Sequence, residues 1–309
     1  YERSLKKVTK NKQRRNSKLF VFTFLILPII NFIVFYIYVN IDSFVMAFQK
    51  EVWSTTSGET ELVFTFENFK EVYQLFVSGS SASNLGIALR NTIIFYLVGI
   101  LINLPLTILT CYFLSKKIRG YKFFRAVFYF PCIVTATALV VLFKFALGDG
   151  GILDVIQGSK YVYPLTQNGK ALLTILFYTI SFGIGGNIII IGGAMNSIDH
   201  QLFEAGELDG CNWFQELIYI IIPSIWPALS TILILSVASF LGSTGPILPF
   251  TKGAYETTTL AYYIFSLVAG GAIGTQQNLY LASAIGLIMT AVSFPLAMLV
   301  KRIVYGRNE

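Results

Sequence analysis

Residues 171–198 read ALLTILFYTISFGIGGNIIIIGGAMNSI, a stretch that holds no charged side chain. One helix needs roughly 20 consecutive apolar residues to cross the hydrocarbon core of a bilayer. In lipid, backbone polar groups must be satisfied inside the segment, which an α-helix achieves and an isolated strand does not. The stretch also lacks the alternation of apolar and polar residues that a barrel strand shows. It therefore predicts a transmembrane helix.

Five other stretches have the same apolar character. Composition agrees with a lipid environment, because 55% of the 309 residues are hydrophobic and 13% are charged, against about a quarter charged in soluble domains. We predict an all-α membrane protein with six transmembrane helices. The other five stretches run from Leu19 to Ile41, Asn91 to Ser115 and Ala126 to Phe143, and lie within Leu217–Thr251 and Thr257–Val300.

The last stretch is too long for a single span. Its first part, Thr258 to Val268, is predicted to be a helix that dips into the outer face of the membrane. Glycines at positions 270, 271 and 274 are predicted to turn the chain after it.

The distribution of basic residues predicts the orientation of the chain. Sixteen of the 23 Lys and Arg residues fall in segments 1–18, 115–125 and 196–217 and in the tail from Lys301. Because cytoplasmic segments carry the excess of basic residues, this predicts an N-in and C-in protein. Eight of them flank the first span, so the net charge of +7 indicates contact with the lipid bilayer rather than with nucleic acid.

The predicted organisation follows from these spans. The parts are a basic cytoplasmic N-terminus (1–18), a first transmembrane helix (19–41), an extracytoplasmic loop (42–87), a core of five helices (88–304) and a cytoplasmic tail (305–309).

One predicted cytoplasmic loop departs from the charge rule. Residues 196–217 contain no Lys or Arg, although they hold five acidic side chains. Such a loop suggests a specific task, since a loop that only had to stay inside would be expected to carry basic residues. The acidic residues are Asp199, Glu204, Glu207, Asp209 and Glu216.

The pattern of this acidic loop predicts a short helix, a break and the start of the next span. Gly210 can adopt the left-handed conformation that ends a helix, and Pro223 suits the beginning of another. We interpret the small residues Ala205 and Gly206 as allowing a partner to approach the backbone closely. Glu204 is interpreted as free to meet a cation of that partner.

This segment resembles the "EAA" loop of binding-protein-dependent ABC importer permeases. In that family Glu-Ala-Ala is followed by Asp-Gly-Ala and then by an apolar-Pro sequence. Glu204, Ala205, Asp209, Gly210 and Pro223 match the pattern. Two small residues, Gly206 and Cys211, replace alanines, and Leu217 stands where Phe is usual.

Three further segments carry the same resemblance, which covers most of residues 60–305. They look most similar to the maltose-type branch, whose substrates are mostly oligosaccharides. The segments are Ala88-Leu89-Arg90-Asn91-Thr92, Phe123-Phe124-Arg125 with Phe130-Pro131, and Phe66-Glu67-Asn68-Phe69.

The resemblance implies a type I ABC importer permease fold in the cytoplasmic membrane, with a coupling loop at 196–223 that docks on a separate ATPase subunit. Glu204, Ala205, Gly206, Asp209 and Gly210 would be the ATPase-coupling residues. Expected partners are a second permease subunit, a paralogue in this branch, and an extracytoplasmic solute-binding protein. The chain itself has no G-x-x-x-x-G-K-[ST] segment for nucleotide phosphates, so a non-catalytic transport subunit without a cofactor is expected.

Four uncharged polar residues within the spans are candidates for the substrate path. Ser236, Ser239 and Ser243 share one helix face, and Asn187 lies mid-span beside two glycines. The alternative interpretation of the serines is close helix packing with local hydrogen bonds. A metal site is not expected, because the single histidine and the three cysteines lack ligand spacing.

Other functions remain open at this point. The same machinery could carry amino acids, peptides or polyamines. An ion-coupled secondary carrier is less well supported, because proton coupling normally uses acidic residues or histidine inside the spans. An intramembrane enzyme has no comparable support.

Overall fold

The computed structural model describes residues 20–53, 60–77, 85–148, 151–157, 163–270 and 278–306. The basic segment 1–18, the glycines at 271 and 274, and the end of the tail lie outside the described residues. Helices make up most of the described chain. They are α1 (Phe20–Met46), α2 (Glu67–Val77), α3 (Leu85–Ser115), α4 (Tyr121–Ile133), α5 (Ala136–Leu147), α6 (Ile152–Gln157), α7 (Lys170–Asn196), α8 (His200–Leu208), α9 (Trp213–Ser224), α10 (Trp226–Ser239), α11 (Ile247–Phe250), α12 (Leu260–Ala269) and α13 (Leu279–Tyr305).

The spans agree with the sequence prediction in number and position. Helices α1, α3, α7 and α13 are each long and apolar enough to cross a membrane. The pairs α4–α5 and α9–α10 pass the same test together, which gives six spans if each bent pair counts as one. The helix predicted within residues 258–268 is present as α12, and Gly270 after it has a left-handed φ of 68°.

Two predicted spans differ from straight helices. The chain bends by 104° between α4 and α5 and by 73° between α9 and α10. Val134 and Thr135 between the first pair are extended, three residues after Pro131 inside α4. Pro227 begins the helix after the second break. A proline has no N–H and interrupts the helical hydrogen-bond ladder, so both breaks have a local cause.

The chain divides into two compact units, residues 1–70 with 279–287, and the remainder. The first unit holds a feature that the all-helical prediction missed. Strands β1 (Gln49–Trp53) and β2 (Thr60–Phe64) form an antiparallel hairpin in the predicted outer loop. The Asn68 amide donates to the carbonyls of Ala47 (3.0 Å) and Gln49 (2.8 Å), which closes the base of this hairpin.

An aromatic cluster and one ion pair complete the hairpin. The ring of Phe48 packs against those of Phe44, Phe64, Phe66 and Phe69 at centroid distances of 5.1 to 5.6 Å. Lys50 Nζ lies 2.9 Å from Glu67 Oε2. The hydrogen bond and charge of Lys50 hold the pKa of Glu67 below its usual value. The Phe66–Phe69 segment singled out in the sequence therefore packs against this hairpin.

Two apolar clusters form the core of the second unit. One gathers buried residues of α3, α7, α9 and α10, including Cys111, Ile191 and Ile221. The other gathers Val140, Ile175 and Tyr262 from α5, α7 and α12. Helices α3 and α7 also line the cavity that is described below.

Asn91 and Thr92 at the start of α3 anchor the segment that precedes α12. The Asn91 amide donates to the carbonyls of Glu256 (2.7 Å) and Thr258 (2.9 Å). Thr92 Oγ1 donates to Ala88 and accepts from the backbone N–H of Leu260 at 2.9 Å. The anchored segment contains non-glycine residues with φ of 51° to 58°, which cost conformational energy and need such support.

We predict that Thr92→Ala destabilises the protein by about 1–3 kcal/mol, because the buried N–H of Leu260 loses its acceptor. Thermal unfolding of the purified protein in detergent measures the effect. Thr110→Ala is the matched control, since Thr110 lies on the same helix and, among the described residues, its side chain bonds only to the carbonyl of Leu106. Equal melting temperatures for the two variants would contradict the anchoring role.

Candidate functional sites: an acidic loop and a polar cavity

The acidic loop folds into a capped helix, α8. The Asp199 side chain accepts a hydrogen bond from the backbone N–H of Gln201 at 3.1 Å and caps the first turn. At the other end Gly210 has a φ of 72°, and the N–H of Cys211 donates to the carbonyl of Gly206 at 2.9 Å. This bond satisfies a carbonyl that the helix end leaves free. The predicted helix and break are therefore both present.

The next helix starts immediately after this break. Asn212 Oδ1 accepts from the backbone N–H groups of Phe214 (3.0 Å) and Gln215 (2.9 Å), and Gln215 Oε1 accepts from the N–H of Asn212 at 2.9 Å. This reciprocal capping box fixes the start of α9 relative to the end of α8. The loop is thus a defined corner between two helices.

The predicted coupling residues do not all face the same way. Glu204, Ala205, Asp209 and Gly210 are exposed, whereas Gly206 is buried. A Cβ added at Gly206 would lie 2.7 Å from Cδ1 of Ile220 on α9. The interpretation that Gly206 lets an external partner approach is therefore wrong. The absence of a side chain at Gly206 instead lets α8 pack against α9. The exposed face of α8 also carries Leu208, which is 89% exposed.

A cavity with polar and apolar lining groups lies between α3, α7, α10 and the segment that follows α10. Its volume is about 280 Å³, and all four predicted path residues, Asn187, Ser236, Ser239 and Ser243, line it. Ser243 belongs to the segment after α10 and not to the predicted helix face, because α10 ends at Ser239. The side chains around them are aromatic, hydroxyl, amide or apolar, and none is charged. The remaining lining residues are Thr92, Phe95, Tyr96, Gly99, Ile100, Asn103, Leu104, Thr179, Gly183, Ile232, Phe240, Gly245 and Pro246.

The cavity offers several hydrogen-bonding groups that the protein itself does not use up. Asn103 donates from its amide to the Thr179 carbonyl at 3.2 Å, while its buried Oδ1 has no partner among the described residues. The hydroxyls of Ser236 and Ser239 donate to carbonyls of their own helix, which leaves their lone pairs free to accept. A hydroxylated ligand could donate to the serine hydroxyls, whereas Oδ1 of Asn103 is buried.

Aromatic rings form the other part of the lining. Tyr96 and Phe240 contact each other with ring centroids 4.9 Å apart and their planes tilted by 46°. Phe95 lies one residue away on α3 and also lines the cavity. Apolar ring faces beside a few placed polar groups are the usual composition of small-molecule sites.

Sequence reasoning missed Tyr96, Asn103 and Thr179. Thr92, Tyr96, Gly99 and Asn103 recur at helical spacing on α3, so their shared face was a signal available in the sequence. The positions of these residues in the sequence did not reveal that α7 and α10 supply the opposite walls of the cavity. Gly183 on α7 adds a packing constraint, because a Cβ there would lie 2.7 Å from Nδ2 of Asn103.

Two of the helix irregularities lie beside this cavity. Residues Gly99–Asn103 of α3 form a π-helical segment, and Ile184–Asn187 of α7 form a 3₁₀ segment. The buried hydroxyl of Thr107 donates to the carbonyls of Asn103 (2.7 Å) and Ile184 (3.2 Å) and joins the two segments. Irregular turns of this kind often mark functional sites within helices.

The chain resembles proteins of a known family. The family described as "Binding-protein-dependent transport system inner membrane component" matches residues 119–307. The chain belongs to this family. The match includes α8, α9 and the two cavity walls formed by α7 and α10. An inner-membrane location and a role as a transport permease follow from this membership.

Two curated relatives and one solved structure illustrate the likeness. The multiple sugar-binding transport system permease protein MsmF of Streptococcus mutans serotype c is 27% identical over 282 residues, which cover 88% of this chain and 91% of the relative. The lactose transport system permease protein LacF of Rhizobium radiobacter is 28% identical over 191 residues, 58% of this chain and 64% of the relative.

The solved structure confirms the predicted permease fold. It is the crystal structure of a bacterial ABC transporter involved in the import of the acidic polysaccharide alginate. One of its chains aligns with a TM-score of 0.76 and 21% identity, over 98% of this chain and all of that one. At this identity the likeness concerns the fold.

We predict that Gly206→Val destabilises the permease by about 1–3 kcal/mol, because the added side chain overpacks the contact with Ile220. Thermal unfolding checks this, and adding Ile220→Ala to the variant should restore most of the loss. Ala205→Val is the control, since Ala205 is the exposed neighbour on the same helix. A larger effect at Ala205 than at Gly206 would refute the packing assignment.

Proposed function

We propose that this permease moves a carbohydrate, delivered by an extracytoplasmic binding protein, across the membrane by alternating access driven by separate ATPase subunits. The observation that carries the cargo assignment is the uncharged cavity that gathers Asn187, Ser236, Ser239 and Ser243 beside aromatic rings. An oligosaccharide presents hydroxyl groups and apolar ring faces, and this lining matches both.

The absence of charge in the lining argues against the other cargo classes. Amino acids, peptides and polyamines carry charges that would lose their hydration in a cavity of this size without compensation. An ion-driven carrier would need an acidic residue or a histidine in the path, and the residues that line the cavity include neither. The names of the relatives MsmF and LacF, which concern sugars, support the same class of cargo.

The size of the cavity suggests how it is completed. At about 280 Å³ it lies just below the roughly 300–1,000 Å³ of ordinary small-molecule sites. We propose that a second permease subunit, a paralogue of this chain, supplies the facing wall. The assembled path would then have room for more than one sugar unit.

The exposed face of α8 is proposed as the docking surface for the ATPase. It presents Glu204, Ala205 and Leu208 to the outside, a mixture of one acidic, one small and one apolar side chain that suits a protein groove. Capping at both ends keeps the helix formed while it is pushed or pulled. Nucleotide hydrolysis would reside in the ATPase, so this chain acts as a non-catalytic subunit.

We predict that Ser239→Phe lowers carbohydrate uptake at least tenfold, because a phenyl ring would occupy the cavity, while assembly with the ATPase is unchanged. Uptake in cells or proteoliposomes measures the first effect, and co-purification measures the second. Leu235→Phe is the matched control, since Leu235 lies one turn away on the same helix and is 60% exposed. Uptake at the wild-type rate by the Ser239→Phe variant would exclude this cavity as the path.

We predict that Glu204→Lys weakens co-purification of the ATPase while the permease stays folded, because the reversed charge would face the docking groove. Glu71→Lys, the same charge reversal on helix α2 of the predicted outer side, serves as the control for general charge effects. Unchanged association and transport in the Glu204→Lys variant would show that this face does not dock the ATPase.

A further inference from the structure

Lys116, at the end of α3, is the meeting point of three helices. Its Nζ lies 2.6 Å from Oε1 of Glu216 on α9 and 5.0 Å from the ring centroid of Phe203 on α8. Tyr112, one turn earlier on α3, donates its hydroxyl to Oε2 of Glu216 at 3.2 Å. Both oxygens of one carboxylate are therefore held by α3, and the same lysine also faces α8.

The Glu216 carboxylate is unlike the other acidic groups of this loop. Its residue is only 7% exposed, whereas Glu204, Glu207 and Asp209 are exposed. A buried carboxylate is stable only when cationic or donor groups compensate for its lost hydration. Helix α3 supplies both a cation, Lys116, and a hydrogen-bond donor, Tyr112, to Glu216. The capping box at Asn212 fixes the first turn of α9, from which Glu216 projects.

A gain in stability does not by itself explain why the Glu216 carboxylate is buried. Only the carboxylate of this ion pair is buried, because the Lys116 side chain is 32% exposed. A buried ionic group often contributes no more than well-packed apolar residues of the same volume would, and its better-attested use is to fix one register between elements. The contacts here fix the register of α3 against α9. The cation also lies within the roughly 6 Å over which an aromatic face attracts it, so α8 is held in the same register through Phe203.

The three helices have different places in the proposed mechanism. Helix α8 carries the exposed docking face. Helix α3 carries the cavity residues Tyr96 and Asn103, and α9 leads directly into α10 with its serine face. One charged cluster thus joins the docking element to two walls of the cavity.

We propose that Lys116, Glu216 and Tyr112 form the joint that carries a displacement of α8 to the cavity-lining helices. They are positioning residues for transport, and the claim rests on the proposed function of this chain. Without the joint, α8 could follow the ATPase while α3 stays behind. ATP would then be hydrolysed without moving the cavity walls, so the number of sugar molecules imported per ATP would fall.

The experiment measures uptake and ATP hydrolysis together, in proteoliposomes that contain the complete transporter and its loaded binding protein. The variants are Lys116→Met, Glu216→Gln, the double variant that carries both changes, and Lys116→Arg. Lys122→Met is the control, because Lys122 is an exposed lysine at the start of α4. The double variant leaves no unpaired buried charge, so it remains informative if either single variant fails to fold.

We expect the double variant to assemble and hydrolyse ATP while uptake per ATP falls about fivefold or more, the usual scale of coupling between two sites. Lys116→Arg should restore the ratio, because it keeps the charge and the aromatic contact. A wild-type ratio in the double variant overturns the inference, as does a loss of uptake and hydrolysis in equal proportion. Failure of the wild-type assembly to import any carbohydrate would instead overturn the proposed function.

Discussion

The backbone hydrogen bonds of a chain in lipid have no water to replace them, and this constraint bears directly on the irregular turns of α3 and α7 beside the cavity. Departures from α-helix at membrane depth are tolerated where the freed groups find partners or line a cavity. The π segment of α3 and the 3₁₀ segment of α7 obey this, since Thr107 donates to a carbonyl of each. The polar cavity beside them is therefore supported by the same irregular turns that expose Asn103 and Asn187 to it.

The cost of placing charge in lipid also explains where charged side chains lie around α3. The cavity lining is neutral, and the ion pair of Lys116 with the buried Glu216 lies at the end of α3, beyond the apolar stretch. Neutral groups that accept and donate weakly allow a ligand to enter and leave, as conduction through a membrane requires. A charged pair suits a place where two helices must keep one register. The two sites thus call for opposite chemistry, and the chain places them at different levels of α3, with α9 at the charged site and α10 at the cavity.

Much of the fold could be predicted because hydropathy and helical spacing are local properties. The six apolar stretches, the helix and break in the acidic loop, and the shared face of Ser236 and Ser239 all follow from neighbouring residues. Ser243 was wrongly placed on the same helix face, because α10 ends at Ser239. The bends within two spans were missed, since hydropathy reports length and not direction, although Pro131 and Pro227 stood in the sequence. The hairpin of residues 49–64 was missed because an outer loop was expected to lack regular structure.

What could not be predicted depends on partners distant in the sequence. Glu216 resembled the other acidic residues of its loop until Lys116 and Tyr112, 100 and 104 residues earlier, were found beside it. Gly206 resembled a surface glycine until Ile220 was found against it. In both cases the sequence supplied the residue type and tertiary packing supplied the direction. The loop therefore has two faces: an outer one, which the family pattern of Glu204 and Ala205 describes, and an inner one, on which Gly206, Phe203 and Glu216 connect α8 to the helices that surround the cavity.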